Sequence, residues 1–392
     1  MSTRRTIGIT VTAVAAVATT AVIASAMTGF PGGSSPEGSD GANTTLTPSQ
    51  GTPTEQDPRD GAQAARDFLD DWVDDGRVVR RDQGDDTVSE GQAYGLLVAA
   101  GVGDQDAFTE IWDWTEANLQ RPDGLLAWRW ADGKVVDDEP ASDGDLDAAR
   151  ALVIAGDRFQ EPSFTTAGVA LAGLIADRMT AQTAAGRILL PGMWAAATEP
   201  YAYNPSYASP VAFSVLGEAT GDPRWAELEA GSAAVTAALL DESPLPPDWA
   251  QVHADGSVDA MPGAAGKGKS VRYGYDAARL PLRYAESCEP ADVALAGRLA
   301  STLGRTIGIA AETDLGGSPM TEDRHPLALQ ARAAARVAVG NTADASKDLR
   351  TADALAQDVP SYFGAAWSAL SPLLLASDSL GGCGTLGSGS GS

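Results

Sequence analysis

The stretch SEGQAYGLLVAAG, residues 89–101, decides the fold because its pattern recurs through most of the chain. An acidic residue opens an uncharged run rich in Ala, Leu and Gly, which predicts a helix over residues 90–100. Strand patterns are scarce. Consecutive helices with short connections must lie antiparallel, so we predict an all-α toroid of helical hairpins. Similar stretches predict eleven more helices, at residues 61–75, 107–119, 146–156, 163–180, 210–220, 224–240, 277–287, 290–303, 326–339, 342–357 and 361–376.

The starts of several predicted helices share a chemical feature. Ser89 and Gln92 form a capping-box pattern that would hold Glu90 in the first helical turn. The SDGD motif around Asp143 has the same form, and Asp276 precedes another Ala-rich helix. Alternate helices of a toroid begin at the same end, so we expect these three carboxylates to converge there.

Composition divides the chain into four regions. Residues 1–30 place two arginines before an apolar stretch ending in small residues, which predicts an export signal, or a membrane anchor if it is not cleaved. Residues 31–57 are rich in Pro, Gly, Ser and Thr and are interpreted as a linker. Apolar residues are spread evenly over residues 58–380, which predicts one catalytic domain, and residues 381–392 form a predicted flexible Gly/Ser tail.

The net charge and the small numbers of His and Cys residues argue against several classes of function. Lys and Arg number 27 against 53 Asp and Glu, and the net charge of −26 disfavours binding to nucleic acid or to anionic lipid. Only the N-terminal segment, if retained, is expected to contact a membrane. His253 and His325 are the two histidines of the chain, so we predict no metal, no cofactor and no histidine-based triad. Cys288 and Cys383 form a possible disulfide that pins the C-terminal tail.

Two carboxylates can hydrolyse a glycoside without any cofactor. Acidic residues in a first helical turn are common because they complement the helix dipole, so local sequence alone favours a structural role for Glu90. Asp143 lies in an acidic run, residues 137–147, that could be ordinary solvated surface. A general acid must stay protonated, and the helix dipole opposes this. We therefore expect burial, or the negative charge of Asp143 nearby, to raise the pKa of Glu90.

Aromatic residues supply a second signal, because sugar rings stack on Trp and Tyr. Core packing is the alternative for these residues, and we prefer it for those on helical faces, which are Trp72, Trp112, Trp114 and Trp367. Aromatic residues in loops are better candidates for a cleft. These are Trp128, Trp130, Trp194, Tyr201, Tyr203 and Tyr207, the last four in a loop that also contains Asn204.

Four motifs occur in a characteristic order: SEGQAYGLLVAAG at 89–101, ASDGDLDAARALVIAG at 141–156, YNPSY at 203–207 and GYDAARLPLR at 274–283. Together they resemble glycoside hydrolase family 8, and the likeness covers nearly all of residues 60–376. Within the family, the chain looks most similar to the periplasmic endoglucanases that accompany bacterial cellulose synthases. The resemblance implies an (α/α)6 barrel and endo-acting, inverting hydrolysis of a β-1,4-glucan.

The resemblance also implies roles for individual residues. By position, Glu90 matches the proton donor, Asp276 matches the base that activates water, and Asp143 matches a carboxylate that contacts the sugar. It further implies that Tyr275 and Arg279 position the base and substrate.

The same matching predicts a set of substrate contacts along the cleft. One tryptophan, Trp128 or Trp130, is expected to stack on a sugar, and the spacing does not choose between them. The other predicted contacts are Tyr94, Asn204 and Tyr207. Ala149 and Arg150 depart from the family pattern, which has bulkier apolar residues there.

Other functions fit part of the pattern. Chitosanases, mixed-linkage glucanases and xylanases share much of it, and a strongly acidic enzyme could accept cationic chitosan. A catalytically silent polysaccharide-binding protein is a more distant alternative. A lyase has less support, since neither histidine lies in a general-base motif. We expect a monomer that is secreted, or held at the cell surface if the N-terminal segment is retained.

Overall fold

The Ala- and Leu-rich stretches fold as helices. The computed structural model describes residues 61–305, 310–384 and 386, and these form thirteen α-helices. The predicted helix over 290–303 is broken at Leu299, and the other eleven predicted helices each correspond to one observed helix. The helices are α1 (Gly61–Trp72), α2 (Ser89–Val102), α3 (Gln105–Leu119), α4 (Ser142–Arg158), α5 (Pro162–Arg178), α6 (Pro210–Thr220), α7 (Arg224–Glu242), α8 (Leu280–Ala285), α9 (Pro290–Arg298), α10 (Ala300–Arg305), α11 (Pro326–Ala338), α12 (Thr342–Asp358) and α13 (Tyr362–Ala376).

The helices form two concentric rings. Helices α2, α4, α6, α8, α11 and α13 contact one another in that order, and α13 packs back on α2 to close the inner ring. The outer ring consists of α1, α3, α5, α7, the broken helix α9 and α10, and α12, each packed against an inner helix adjacent to it in sequence. This is the predicted (α/α)6 barrel. All inner helices begin at the same end of the barrel.

Burial explains which helices are inside. After Glu90, α2 carries no charged residue, and its residues are buried from Gly91 to Gly101 on every face. The outer helix α1 buries only one stripe, which includes Phe68, Leu69 and Trp72. A helix that is apolar on every face buries most apolar surface when it lies inside the core. An amphipathic helix buries its apolar face when it covers the core from outside.

Ten short strands that the sequence patterns did not predict lie on the connections from outer to inner helices. Each has two to four residues, too few for an apolar alternation to show in the sequence. They are β1 (Val73–Asp74), β2 (Arg77–Val78), β3 (Thr87–Val88), β4 (Arg129–Ala131), β5 (Lys134–Asp137), β6 (Thr180–Thr183), β7 (Gly186–Leu189), β8 (Tyr201–Tyr203), β9 (Trp249–Val252) and β10 (Val258–Met261).

The strands pair in four small antiparallel sheets, β1-β2, β3-β4-β5, β6-β7 and β8-β9-β10. Thr87 pairs with Trp130, and Tyr203 pairs with Ala250. Because every strand precedes an inner helix, the sheets surround the end of the barrel where those helices begin. They build the walls of the region in which the predicted carboxylates lie.

The C-terminal segment is attached to the opposite end of the barrel. Cys288, just after α8, forms a disulfide with Cys383. Arg150 and Glu286 form a fully buried ion pair, and Arg150 also donates to the carbonyl oxygen of Leu380. The departure from the family pattern at Arg150 is therefore compensated by a buried carboxylate.

Two predicted regions, the export signal at 1–30 and the linker at 31–57, lie outside the described residues, as does most of the predicted tail. Within the part of the chain that is described, no helix combines the length and the apolar character needed to cross a bilayer.

Candidate active site

Three inner helices bring their acidic residues to one place. Glu90 is the second residue of α2, Asp143 is the second residue of α4, and Asp276 immediately precedes the 3-10 turn Ala277–Arg279 that leads into α8. All three carboxylates lie around the guanidinium group of Arg279. The predicted convergence of acidic residues at the helix starts is present in the structure.

The predicted serine caps are wrong. Val88 and Ala141 occupy the N-cap positions, and the hydroxyl groups of Ser89 and Ser142 have no hydrogen-bond partner among the described residues. The Gln92 side chain points away from the start of its own helix. It forms hydrogen bonds with the backbone of the β1-β2 hairpin and with the Thr115 hydroxyl on α3. Tertiary contacts therefore replace the local capping box.

Arg279 is the centre of the carboxylate cluster. Its Nη1 donates to Asp143 Oδ2 at 3.1 Å and lies 3.8 Å from Glu90 Oε2, while its Nη2 donates to Asp276 Oδ1 at 2.7 Å. Nη1 also donates to the hydroxyl of Tyr94 at 3.2 Å, and the guanidinium group stacks over the ring of Tyr207. The Arg279 side chain is only 2% exposed, so its charge is poorly screened by solvent.

Burial is the main influence on Glu90. Burial and the negative charges of Asp143 and Asp276 raise the pKa of this carboxyl, Arg279 and the Tyr94 hydroxyl lower it, and the net result is a pKa of about 7. The predicted effect of Asp143 exists but is smaller than that of burial. Glu90 Oε1 is buried and has no hydrogen-bond partner among the described residues. The Glu90 side chain as a whole is 26% exposed, so a ligand can reach it.

Asp143 is held beside Glu90 by a close helix contact. A Cβ atom on Gly144 would lie 2.5 Å from Ser89 Oγ and 2.9 Å from the Glu90 backbone nitrogen. Only glycine therefore allows α4 to approach the start of α2 this closely. Burial raises the pKa of Asp143, and Arg279 opposes this shift.

Both oxygens of Asp276 have partners. Arg279 donates to Oδ1, and Trp249 Nε1 donates to Oδ2 at 3.1 Å. Burial raises the pKa of Asp276 and the anion of Asp248 adds to this, while Arg279, Asn204 and Trp249 lower it. The side chain remains 33% exposed, so solvent or a ligand can reach it.

Sequence reasoning missed Asp248 and Trp249. Asp248 Oδ1 accepts the backbone N–H groups of Gly274 and Ala277, which flank the base, and its Oδ2 accepts from Arg272. The only local signal was an Asp-Trp pair after two prolines in a connection between helices. Nothing in that pattern indicates which distant residue the pair contacts.

Two predicted substrate contacts are placed differently from the prediction. Tyr94 is fully buried, packed on Phe363 and Trp367, with its hydroxyl bonded by Arg279. Asn204 is also buried and accepts hydrogen bonds from Ser206, and it lowers the pKa of Asp276. Both side chains therefore contact members of the carboxylate cluster and present no exposed surface to a sugar.

The other predicted contacts lie at the cleft. Tyr275 is 39% exposed and packs edge-on against His325. Tyr207 is partly buried between Arg279 and Trp249. Both aromatic rings thus flank Asp276 or its partners, on the side of the base.

Trp128 and Trp130 differ in their surroundings. The carbonyl oxygen of Trp128 accepts the backbone N–H of Ser89, so Trp128 lies directly beside the start of α2. Trp130 packs edge-on against Trp114 and under the guanidinium group of Arg77. Trp130 therefore has two ring contacts with protein groups, whereas Trp128 has one, with the guanidinium group of Arg129.

The cluster holds three carboxyl groups around one guanidinium group, an arrangement that cannot keep all three ionised at low cost. Of the three, Glu90 has the longest contact with Arg279, and it is the one whose pKa rises to about 7. Among the described residues, no group of three His, Cys, Asp or Glu side chains has an arrangement that could hold a metal ion. The site thus combines three carboxyl groups with one guanidinium group, which donates to Asp143 and Asp276.

Comparison with known proteins agrees with this geometry. The model of glycosyl hydrolases family 8 matches residues 66–314. A probable endoglucanase of Novacetimonas hansenii is 36% identical over 216 residues, 53% of this chain and 62% of that protein. An endoglucanase of Cellulomonas uda is 31% identical over 215 residues, 53% of this chain and 58% of that protein. The chain therefore matches less than two thirds of the length of either relative.

A solved structure extends the likeness over almost the whole barrel. The endo-β-1,4-glucanase CMCax of Acetobacter xylinum superposes with a TM-score of 0.67 at 26% identity, covering 81% of this chain and 98% of that one. The family match includes Glu90, Asp143 and Asp276 and spans well over half of the chain. The chain belongs to glycosyl hydrolase family 8.

Proposed function

We propose that this protein is an endo-acting glycoside hydrolase that cleaves β-1,4-glucan with inversion. The observation that carries the proposal is the Arg279 cluster, in which the pKa of Glu90 is raised to about 7 while Arg279 and Trp249 donate to the two oxygens of Asp276 and so favour its anion. Inverting hydrolysis needs this pair of protonation states. The names of the matched endoglucanases support the choice of β-1,4-glucan.

Each acidic residue has a distinct role in the proposal. Glu90 donates its carboxyl proton to the glycosidic oxygen as the bond to the anomeric carbon breaks. Asp276 removes a proton from the water that attacks that carbon from the opposite face. Asp143 approaches the same nitrogen of Arg279 as Glu90, and its anion stabilises the positive charge that develops on the sugar ring and raises the pKa of the acid.

Arg279 contacts both carboxyl groups of the proposed pair. Glu90 and Asp276 approach different nitrogens of its guanidinium group. Inversion requires about 6.5 to 9.5 Å between the two carboxyl groups, which leaves room for a water molecule. A crystal structure with an oligosaccharide should place the water between Asp276 and the anomeric carbon.

Exchanging Glu90 for Gln tests the proposal. The wild-type protein should release reducing ends from carboxymethylcellulose or barley glucan. Glu90→Gln should lower kcat by about a hundredfold to ten-thousandfold while the circular dichroism spectrum is unchanged. The matched control is Glu116→Gln, an exposed position on α3, which should keep wild-type activity. Retained activity in Glu90→Gln would remove Glu90 from the role of acid.

Chitosan is the second candidate substrate because the net charge of −26 would attract a cationic polymer. Parallel assays on chitosan, xylan, barley glucan and carboxymethylcellulose separate the candidates. Faster cleavage of chitosan than of any glucan would overturn the substrate assignment. A protein that only binds polysaccharide would cut none of them, and it would have no need of a protonated Glu90 facing an ionised Asp276.

We further propose that the protein is exported as a monomer and acts beside a bacterial cellulose synthase. The N-terminal pattern supports export, the Cys288–Cys383 disulfide suits an oxidising compartment, and the link to cellulose synthesis rests on the likeness of the motifs. N-terminal sequencing of secreted protein and ultracentrifugation check the first two points. Deleting the gene should change the yield of insoluble extracellular glucan, and an unchanged yield would contradict the third.

A further inference from the structure

We infer that Asp248 and Trp249 are positioning residues that together fix the orientation and the charge state of the Asp276 carboxylate. The inference rests on the proposed function, in which Asp276 is the base. The two residues are adjacent at the start of β9, whereas Asp276 lies on the segment that enters α8. They act on the base in two separate ways.

Asp248 holds the backbone on both sides of the base. Its Oδ1 accepts the N–H of Gly274 at 2.8 Å and the N–H of Ala277 at 2.9 Å, and its Oδ2 accepts from Arg272 at 3.0 Å. A Cβ atom on Gly274 would lie 2.7 Å from Asp248 Oδ2. The loop therefore closes tightly on this carboxylate, which leaves the segment that carries Asp276 little freedom to move.

Trp249 holds the side chain of the base. Its Nε1 donates to Asp276 Oδ2 at 3.1 Å, and its ring packs edge-on against Tyr207. Since Arg279 donates to Oδ1, each oxygen of Asp276 has one fixed donor. Rotation of the carboxylate would break at least one of these bonds, so the lone pair that remains for the attacking water has a fixed direction.

The two residues act on the proton affinity of Asp276 in opposite directions. The negative charge of Asp248 raises the pKa of Asp276, because it disfavours a second anion nearby. The hydrogen bond from Trp249 lowers that pKa, because it stabilises the anion. The other charged or titratable groups that act on the base are Arg279, Arg272, Glu90, Asp143 and Tyr207, and of these only Arg272 loses a partner in Asp248→Asn, which leaves its positive charge free to lower the pKa of Asp276 as well.

Two substitutions separate these effects. Asp248→Asn keeps a carbonyl oxygen for the two backbone N–H groups but removes the charge, so the pKa of Asp276 should fall. Trp249→Phe keeps the ring but removes the donor, so the pKa of Asp276 should rise. The direct readout is the pH titration of the Asp276 carboxyl carbon by NMR in protein with 13C-labelled aspartate, assigned with Asp276→Asn. This measurement needs no substrate.

Kinetics on barley glucan give the second readout. The acidic limb of kcat/KM should move to lower pH in Asp248→Asn and to higher pH in Trp249→Phe, because Asp276 must be ionised to act as base. Trp249→Phe should also lower kcat by about tenfold to a hundredfold. The matched controls are Asp292→Asn, which changes a buried carboxylate on α9, and Trp112→Phe on α3, both remote from the base. Neither should change the pKa of Asp276 or the acidic limb of kcat/KM.

The outcomes separate the inference from the proposed function. Opposite shifts of the Asp276 titration support the inference even if the wild-type protein cuts no polysaccharide, a result that would overturn only the proposed function. Unchanged titrations, or shifts in the same direction, would overturn the inference. If Asp248→Asn fails to fold, the test rests on Trp249→Phe. An Asp276 pKa in Trp249→Phe that equals the wild-type value would then overturn the inference.

Discussion

At the scale of single residues, burial and the charge of Arg279 together set the protonation of the site. One positive charge faces three carboxyl groups, and its contacts are shorter to Asp276 and Asp143 than to Glu90. The anions closest to the guanidinium group gain most from it, so the proton remains on Glu90. Burial strengthens this division because water cannot stabilise a third anion. The proposed acid and base roles therefore rest on burial and on unequal distances to one side chain.

The pH profile should report the proton on Glu90. This carboxyl must be protonated to donate, so kcat/KM should fall as the pH rises above its pKa of about 7. In Asp143→Asn, a negative charge that raises this pKa is removed, so the alkaline limb should move to lower pH. Initial rates on a soluble glucan across the pH range measure the limb.

Asp157→Asn is the matched control for that experiment. This exposed residue lies at the far end of the same helix, α4, and its exchange should leave the alkaline limb in place. A limb that moves to higher pH in Asp143→Asn, or that does not move, would show that the charge of Asp143 does not act on the acid.

The sequence identified some residues of the site and not others, for physical reasons. Glu90 and Asp143 could be found because each lies in a motif at a helix start. Their roles came from family resemblance, since acidic residues at helix starts are usually structural. Asp248 and Trp249 were missed because their importance depends on a contact with Asp276 across the fold. Tyr94 was predicted to contact substrate, and its burial depends in the same way on contacts across the fold.

At the scale of helices and strands, the site depends on how closely α2 and α4 approach each other. Their first turns touch at Gly144, which faces Ser89 and the backbone of Glu90. This contact places two carboxylates side by side at the positive ends of two helices. A side chain at residue 144 would have to push the helices apart.

Gly144→Ala should therefore damage both stability and activity. The added Cβ meets Ser89 Oγ at 2.5 Å and the Glu90 backbone nitrogen at 2.9 Å, so overpacking should lower the free energy of unfolding by about 1 to 3 kcal/mol. Activity should fall because the acid and Asp143 move apart. Denaturant unfolding and initial rates measure the two effects.

Gly173→Ala is the matched control for Gly144→Ala. This glycine lies inside the outer helix α5, and a Cβ there meets nothing within 4 Å. Alanine should stabilise the helix by about 0.5 to 1 kcal/mol and leave activity unchanged. Equal effects at the two positions would contradict the close approach at Gly144.

The helices were predictable and the strands were not. The Ala- and Leu-rich runs span three or more turns, so their composition and length alone identify them. Strands such as β1 and β3 have two residues each and form only because the barrel brings their partners together. The serine caps failed because neighbouring segments supply other partners. Local pattern thus predicts the barrel, whereas the walls of the cleft depend on tertiary contacts.

At the scale of the whole molecule, three buried ion pairs join α4 to the segment 279–286, which contains α8. Asp143 pairs with Arg279 at the top, Asp147 with Arg283 in the middle, and Arg150 with Glu286 below. Buried ion pairs add little net stability, but an unpaired member is costly, so the ladder should fix the register of the two helices. Leu380 and the disulfide complete the ladder at its lower end.

The disulfide should contribute stability but not catalysis. Cys288 and Cys383 are 95 residues apart in sequence, so their bond restricts a long loop of the unfolded chain. Replacing both with Ser should lower the free energy of unfolding by about 2 to 5 kcal/mol. Activity at 25 °C should remain, because Cys288 follows the end of α8 that points away from the cleft. Unfolding in guanidinium chloride with and without reductant checks this; a fall in kcat with normal folding would contradict it.

The stereochemistry of the product tests the central claim most directly. A solution of cellopentaose is mixed with the wild-type protein, and 1H NMR follows the anomeric proton of the newly formed reducing end before mutarotation. An acid at Glu90 and a water-activating base at Asp276 predict that the α-anomer appears first, since the β-linked bond is inverted. Initial release of the β-anomer would show a covalent intermediate and contradict the account.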